Sequence, residues 1–584
     1  MKSLLLAITL LTYSCSIYQN YDKNNLYNHV KFLASDKLEG RYPGTEGDVK
    51  AANYIKNEFK KNGLSHLNDK IQKFDFISKV KIGSNNRLKF KGSNFNSGSD
   101  FNPISFGSNA TYSGKIIFVG YGFSIQNDSL DWNDYKDIDA SDKWVMILRG
   151  SPDGNNPHSS YSDNTSLRKK AILAKDNLAA GVIFVSGEGF DKEDELIPLS
   201  FDQGQQDIGI PVVHIKRDVA NQLLTTNKTS IETLENSINK DLQNSEPFTI
   251  NEMVSIQTEV LFEKSTTQNV VGLLEGNDIS LKDEYIVIGA HYDHIGFGGD
   301  KSGSRRPYIH AIHNGADDNA SGVSILIELS KILGQLKTNK RSILFVAFGA
   351  EEMGLLGSKY FVNSNLISNK KIQIMINLDM VGRLNSEKTI NVSGTKTAAN
   401  LESIITPYIK NNGLNFTFSS EGYGPSDHTS FYVNDVPVLF FFTGAHTDYH
   451  TPSDDYHKLN YSGMESIKTL LHQLIEKFDG IDKLEFQETG PKKASRPSRF
   501  KVTLGIMPDY VFNEKKGLRI DAVIPNKPAF NAGLSDGDII IKIDNKPVND
   551  IYEYMHRLSE IKSGQTVNVV VVRGEKEITK QVTF

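Results

Sequence analysis

Five short stretches of this chain carry residue types that do chemistry: His291-Tyr292-Asp293-His294, Ala316-Asp317-Asp318-Asn319, Ala350-Glu351-Glu352-Met353, Asn377-Leu378-Asp379-Met380 and Asp448-Tyr449-His450-Thr451. All fall between residues 291 and 451, and they mix imidazole with carboxylate and no thiol. One such cluster would mean little, because His and Asp recur everywhere. Five together supply the nitrogen and oxygen ligands that a hydrolytic zinc centre uses. Two zinc ions about 3.5–4 Å apart can share a water, depress its pKa and clamp the oxygens of a tetrahedral intermediate. Adjacent acids such as Glu351 and Glu352 can then split roles, one on metal and one on water.

Several residues compete for these roles. Asp317 and Asp318 are rivals for a bridging carboxylate. His291 is preferred over His294, His310 and His313 because it closes the apolar run Ile286 to Ala290 and has Asp293 two residues on. Asp293 reads as the carboxylate that fixes the imidazole tautomer. The other three histidines read as surface groups or outer partners, with His313 near the cleft, and His446 competes with His450. Ser426-Asp427-His428 is too contiguous for a serine triad and reads as a cleft loop beside the metals.

The elements that must position these residues are legible as periodic runs. Tyr285 to Gly289, Ile343 to Phe348, Ile372 to Leu378 and Val436 to Phe442 read as strands, and Ser321 to Leu333 and Ser462 to Phe478 as helices. That alternation predicts an α/β fold with a mostly parallel mixed sheet flanked by helices. Upstream, Leu26 to Lys61 carries two helical patterns separated by Leu38 to Thr45.

Gly289 to His294, Asn314 to Gly322 and Glu351 to Gly354 together resemble the co-catalytic di-zinc aminopeptidases. That family includes bacterial leucyl aminopeptidase, aminopeptidase Y, glutamate carboxypeptidase II and transferrin receptor. The likeness spans about residues 25–110 plus 265–480. It implies that Asp318, four residues before Gly322, bridges two Zn2+ ions and that the Asp318–Asn319 peptide is cis. It also implies that His291 and Asp379 complete one site, that Glu352 and His450 complete the other, and that Glu351 is the general base. Tyr449 precedes the histidine as in relatives that place its hydroxyl on the oxyanion; packing is its other reading. The implied activity is that of a zinc exopeptidase, an aminopeptidase acting on peptide or protein substrates through a metal-bridged hydroxide. The rival readings are a carboxypeptidase, a dipeptidase or a glutaminyl cyclase on the same scaffold, or a binding protein without activity. Retention of His291, Asp318, Glu351, Glu352, Asp379 and His450 argues against the last.

At 584 residues the chain exceeds one core. Residues 20–111 and 259–480 are expected to form the catalytic unit, interrupted at 112–258 by a segment resembling a PA (protease-associated) domain. Residues 481–499 read as a linker. Residues 500–584 resemble a PDZ domain, whose loop Thr503 to Ile506 would take peptide C-termini. A net charge of -5 with scattered Lys and Arg implies neither nucleic acid nor an anionic membrane surface as partner. Residues 1–15 read as a signal peptide of lipoprotein type, Leu4 to Leu11 being too short to span a bilayer. The lone cysteine, Cys15, stands where a bacterial lipid anchor attaches, so the expected location is periplasm or cell envelope, or else secretion.

Overall fold

The computed structural model describes residues 25–65, 71–127, 130–154, 156, 159–200, 207–242, 247–299, 302–489, 502–508, 517–524, 527–549 and 551–584. Cys15 and the expected signal segment lie outside the described residues.

Two amphipathic helices begin the described chain. Helix α1 (Asn25–Leu33) buries Leu26, Val30 and Leu33, and α2 (Glu46–Lys61) buries Ala51, Ala52, Ile55 and Phe59. These are the spacings of a single helical face. Thr45 caps α2 by accepting the Asp48 N–H on its hydroxyl. Between the helices Gly40 holds φ +69, and a Cβ there would meet the His313 carbonyl at 2.5 Å. Only glycine allows that close crossing.

The first sheet contains β1 (Gln72–Ile82), β2 (Val260–Leu274), β3 (Tyr285–His291), β4 (Ser342–Phe348), β5 (Ile372–Leu378), β6 (Thr389–Ser393), β7 (Asn415–Phe418) and β8 (Val438–Phe442). Their order across the sheet is β1-β2-β4-β3-β5-β8-β6-β7. The central four, β4, β3, β5 and β8, are parallel, whereas β1, β2 and β6 join antiparallel. Every residue of β4 and β5 is buried, as strands covered on both faces require. Ile286, Ile288 and Ala290 of β3 point into one core with α1, α2, α3 (Gly322–Leu336), α5 (Leu401–Asn411) and α7 (Tyr461–Asp479). Val287 points the other way, toward α4 (Leu356–Asn363) and α6 (His428–Tyr432). This is the expected fold class.

The inserted unit is larger than expected. Its eight-stranded sheet takes in residues 87–90, 93–95 and 101–103 as well as 111–118, 144–148, 181–185, 212–215 and 248–257. The boundary expected at 112 is therefore corrected to about Gly83, whose N–H meets the Glu259 carbonyl at 2.9 Å where the chain returns. Leu88 and Phe90, opposite Ile256 and Val254, are buried. Strands of three or four residues carry too little apolar signal to be assigned from sequence.

The linker is also shorter than expected. Leu484 N–H donates to Gln373 Oε1 at 3.0 Å, Gln487 N–H to the Thr397 carbonyl at 2.7 Å, and Thr489 N–H to the Tyr432 hydroxyl at 2.8 Å. Residues 481–489 thus belong to the first unit. Beyond residue 502 a separate core gathers around Leu504, Ile520, Ile540, Val569 and Val571. Among the described residues, no helix is long and apolar enough to cross a membrane.

Candidate metal centre

Parallel strands deliver their following loops to one edge of the sheet, and that is where the candidate ligands meet. His291 ends β3, Glu351 and Glu352 follow β4, Asp379 follows β5, and His450 lies in the loop beyond β8. Asp318 sits in the tight turn that opens α3, and its peptide to Asn319 is cis, as the resemblance implied.

Asp318 stands between two histidines. His291 Nε2 lies 3.2 Å from Asp318 Oδ1 and 3.4 Å from Asp379 Oδ1. His450 Nε2 lies 3.1 Å from Asp318 Oδ2 and 3.1 Å from Glu352 Oε2. Two atoms each bonded at about 2.0–2.1 Å to one tetrahedral zinc are separated by roughly 3.3 Å. The spacing and the donor set therefore fit two zinc ions sharing one carboxylate.

Both imidazoles are oriented by carbonyls. His291 Nδ1–H donates to the Asp293 carbonyl at 3.2 Å, and His450 Nδ1–H to the Gly303 carbonyl at 3.0 Å. That leaves each Nε2, on the carboxylate side, as the nitrogen that would bind a metal. The expectation that the Asp293 carboxylate fixes the tautomer is corrected here, since it stands 3.8 Å from His291 Nδ1. That carboxylate instead accepts the Glu351 N–H at 3.0 Å and the Glu352 N–H at 3.3 Å, pinning the turn that carries both acids. Burial pushes the Asp293 carboxyl up to about 8, against the pull of His291.

The Asp317 carboxylate turns away from the cluster. It accepts the Gly382 N–H at 2.6 Å and lies 3.1 Å from His446 Nε2, so the two rival residues face each other. Glu351 belongs to neither ligand group. Burial drives its carboxyl well above the ordinary range; His291 opposes this, while Asp427, Glu352 and Asp379 reinforce it. Burial lowers the His291 and His450 imidazolium forms, yet the facing carboxylates hold both well above the usual value. A centre so rich in acids demands cations. The Tyr449 ring stacks on His450 with centroids 3.9 Å apart, and the Arg305 guanidinium lies 5.0 Å over the tyrosine.

Three supporting residues escaped the sequence reading. Asp454 accepts the Asp317 and Asp318 N–H groups at 2.9 and 3.1 Å, which holds the bridging turn in place. Buried Arg41 donates to the carbonyls of Leu33, Tyr292, Asn314 and Gly315. Burial lowers its pKa to about 10, while Asp318, Asp293 and Asp454 oppose that fall. His294, passed over as a surface or outer group, is fully buried, with Nδ1 2.7 Å from Glu352 Oε1. The only sequence cue for Arg41 was its place in a Gly-marked break between helices. His310 is exposed and stacks on Phe297, and buried His313 bonds Ser304 and the Ala311 carbonyl. Ser426 Oγ accepts from Asn377 Nδ2 at 2.8 Å, and His428 stacks on Phe440, so no serine triad forms here.

Residues 269–475 match the family model for Peptidase family M28, and residues 503–584 that for the PDZ domain. Aminopeptidase YwaD of Bacillus subtilis is 25% identical over 495 residues, covering 83% of this chain and 89% of that protein. Leucine aminopeptidase 2 of Trichophyton rubrum is 29% identical over 203 residues, 33% of this chain and 37% of its own length. Among solved structures, an aminopeptidase from Aneurinibacillus sp. strain AM-1 aligns with a TM-score of 0.47 and 21% identity, covering 80% of this chain and 96% of that one.

Proposed function

We infer that this chain, whose residues 269–475 belong to peptidase family M28, is a zinc-dependent aminopeptidase that removes N-terminal residues from peptides. The observation that carries the reading is Asp318 shared by two groups of donor atoms that could each hold an ion, His291, Asp318 and Asp379 in one and His294, Asp318, Glu352 and His450 in the other, with Glu351 outside both. His291, Asp318 and Asp379 would hold one zinc, and Asp318, Glu352 and His450 the other. Bound there, the zinc pair supplies Lewis acidity and a water of lowered pKa. Glu351, ionised once two dications offset its burial, would serve as general base, carrying a proton from the attacking water to the leaving amine. Asp293 holds the Glu351 backbone so that its carboxylate keeps one aim. We assign the Tyr449 hydroxyl to the developing oxyanion, its ring being held between His450 and Arg305.

Elemental analysis of the purified protein should find two zinc ions per chain. Aminoacyl anilides should be hydrolysed and their N-acetylated counterparts spared. One tightly bound ion with full activity, or equal turnover of the acetylated substrates, would sink the reading.

We further propose that the inserted sheet is a PA domain bordering the cleft, and that the PDZ loop Thr503 to Ile506 takes peptide C-termini, with Gly505 at φ +77. Export to the cell envelope with a lipid on Cys15 completes the proposal. Its support is the sequence Leu4 to Cys15, and its check is a lipid mass that Cys15→Ser abolishes.

A further inference from the structure

We propose that His294 is a positioning residue for one metal site. Its Nδ1–H ties down Glu352 Oε1, so that Glu352 offers the metal only Oε2. The proposal rests on the two-zinc reading above.

The two oxygens of Glu352 have different neighbours. Oε2 lies 3.1 Å from His450 Nε2, the spacing of two atoms that share an ion. Oε1 lies 2.7 Å from His294 Nδ1, and that is a hydrogen-bond distance. Ligation by His294 itself fits poorly. Although His294 lies close enough to Asp318, Glu352 and His450 to join their group, its Nδ1 stands 2.7 Å from Glu352 Oε1 and 3.8 Å from Asp318 Oδ2, straddling the roughly 3.3 Å expected around a tetrahedral zinc. The far side of the ring agrees. His294 Nε2 is buried with no hydrogen-bond partner among the described residues. With Nδ1 protonated, that orphan is a lone pair. With Nδ1 on a metal it would be an N–H, and orphaned buried N–H groups are rarer than under-satisfied acceptors.

The consequence is a carboxylate held to one-oxygen ligation. A carboxylate free to rotate could place both oxygens on the ion and occupy a position that substrate or water needs. His294 is placed for this by sequence geometry: it follows Asp293, which pins the Glu352 N–H, so one loop grips both backbone and side chain of the same acid. Its ring packs edge-on against His450, with centroids 5.5 Å apart.

The test compares His294→Ala with His294→Asn, since the Asn Nδ2 can occupy the place of the imidazole Nδ1–H. Zinc affinities would be read by competition with a chromophoric chelator. His294→Ala should weaken one of the two zinc equivalents about 10–100-fold and leave the other unchanged. His294→Asn should recover most of that loss, and its cobalt-substituted absorption spectrum should match wild type. Unchanged affinities in a folded His294→Ala overturn the proposal. So does His294→Asn behaving like His294→Ala with a cobalt spectrum showing one nitrogen ligand fewer, the mark of direct ligation. Should neither variant fold, a crystal structure of zinc-loaded wild type decides: either ion within about 2.0–2.1 Å of His294 Nδ1 overturns the proposal. Wild type binding fewer than two zinc ions would instead remove the functional reading beneath it.

Discussion

Glu351 and Glu352 are one peptide bond apart yet face different work, and the Asp293 carboxylate holding both N–H groups is what keeps them apart. Changing Glu351 to Ala should leave both zinc equivalents bound while lowering kcat by on the order of 10²–10⁴-fold, the usual worth of a general base. Changing Glu352 to Ala should release one equivalent. Zinc content and steady-state kinetics on the two variants read this out, and equal metal loss in both would reverse the roles. The candidate ligands were legible in sequence because each sits in a short run whose neighbours share its chemistry. Arg41 and Asp454 were not. Their partners Asn314 and Asp317 lie 273 and 137 residues away, and no local pattern records such a pairing.

At the scale of elements, the site exists because β3, β4 and β5 end together and because α3 starts hard against β5. Asn319 ties that start to the strand, its Nδ2 donating to the Leu378 carbonyl at 2.8 Å and its Oδ1 accepting the Gly322 and Met380 N–H groups. A Cβ on Gly322 would meet the Leu378 carbonyl at 2.7 Å, immediately before Asp379. Gly322→Ala should therefore destabilise the fold by about 1–3 kcal/mol, as overpacking does, and loosen the zinc that Asp379 would hold. Urea unfolding and zinc retention after dialysis measure the two effects, and an unaltered midpoint would contradict the close contact. Long buried strands were readable as apolar runs. Strands β6 and β7 were not, having five and four residues and only partial burial.

For the whole molecule, the order of units followed from composition and motif, whereas their joints did not. Joints are made by backbone pairings such as Gln487 to Thr397 that leave no mark in residue type. The corrected joint yields a prediction. Deleting residues 490–584 should leave zinc content and turnover of a small aminoacyl substrate nearly intact, because the terminal unit has its own core. Deleting residues 481–584 should lower Tm as well, since it strips the bonds to Gln373, Thr397 and Tyr432. Longer peptides should suffer more than small substrates in the shorter deletion if the PDZ unit recruits them. An equal loss on both would retire recruitment, and equal Tm values for the two deletions would restore the longer linker.

Arg41 also bears on how the enzyme comes into being. Its guanidinium reaches carbonyls 251, 273 and 274 residues further along, and the whole inserted sheet is strung between them. Closing so long a loop is slow, and at about 5–20 residues per second a ribosome takes on the order of ten seconds or more to supply those residues. His450 emerges later still. A nascent chain therefore carries an unassembled centre through most of its synthesis, and pulse-labelled chains should acquire tightly held zinc only after residue 450 has been made and released.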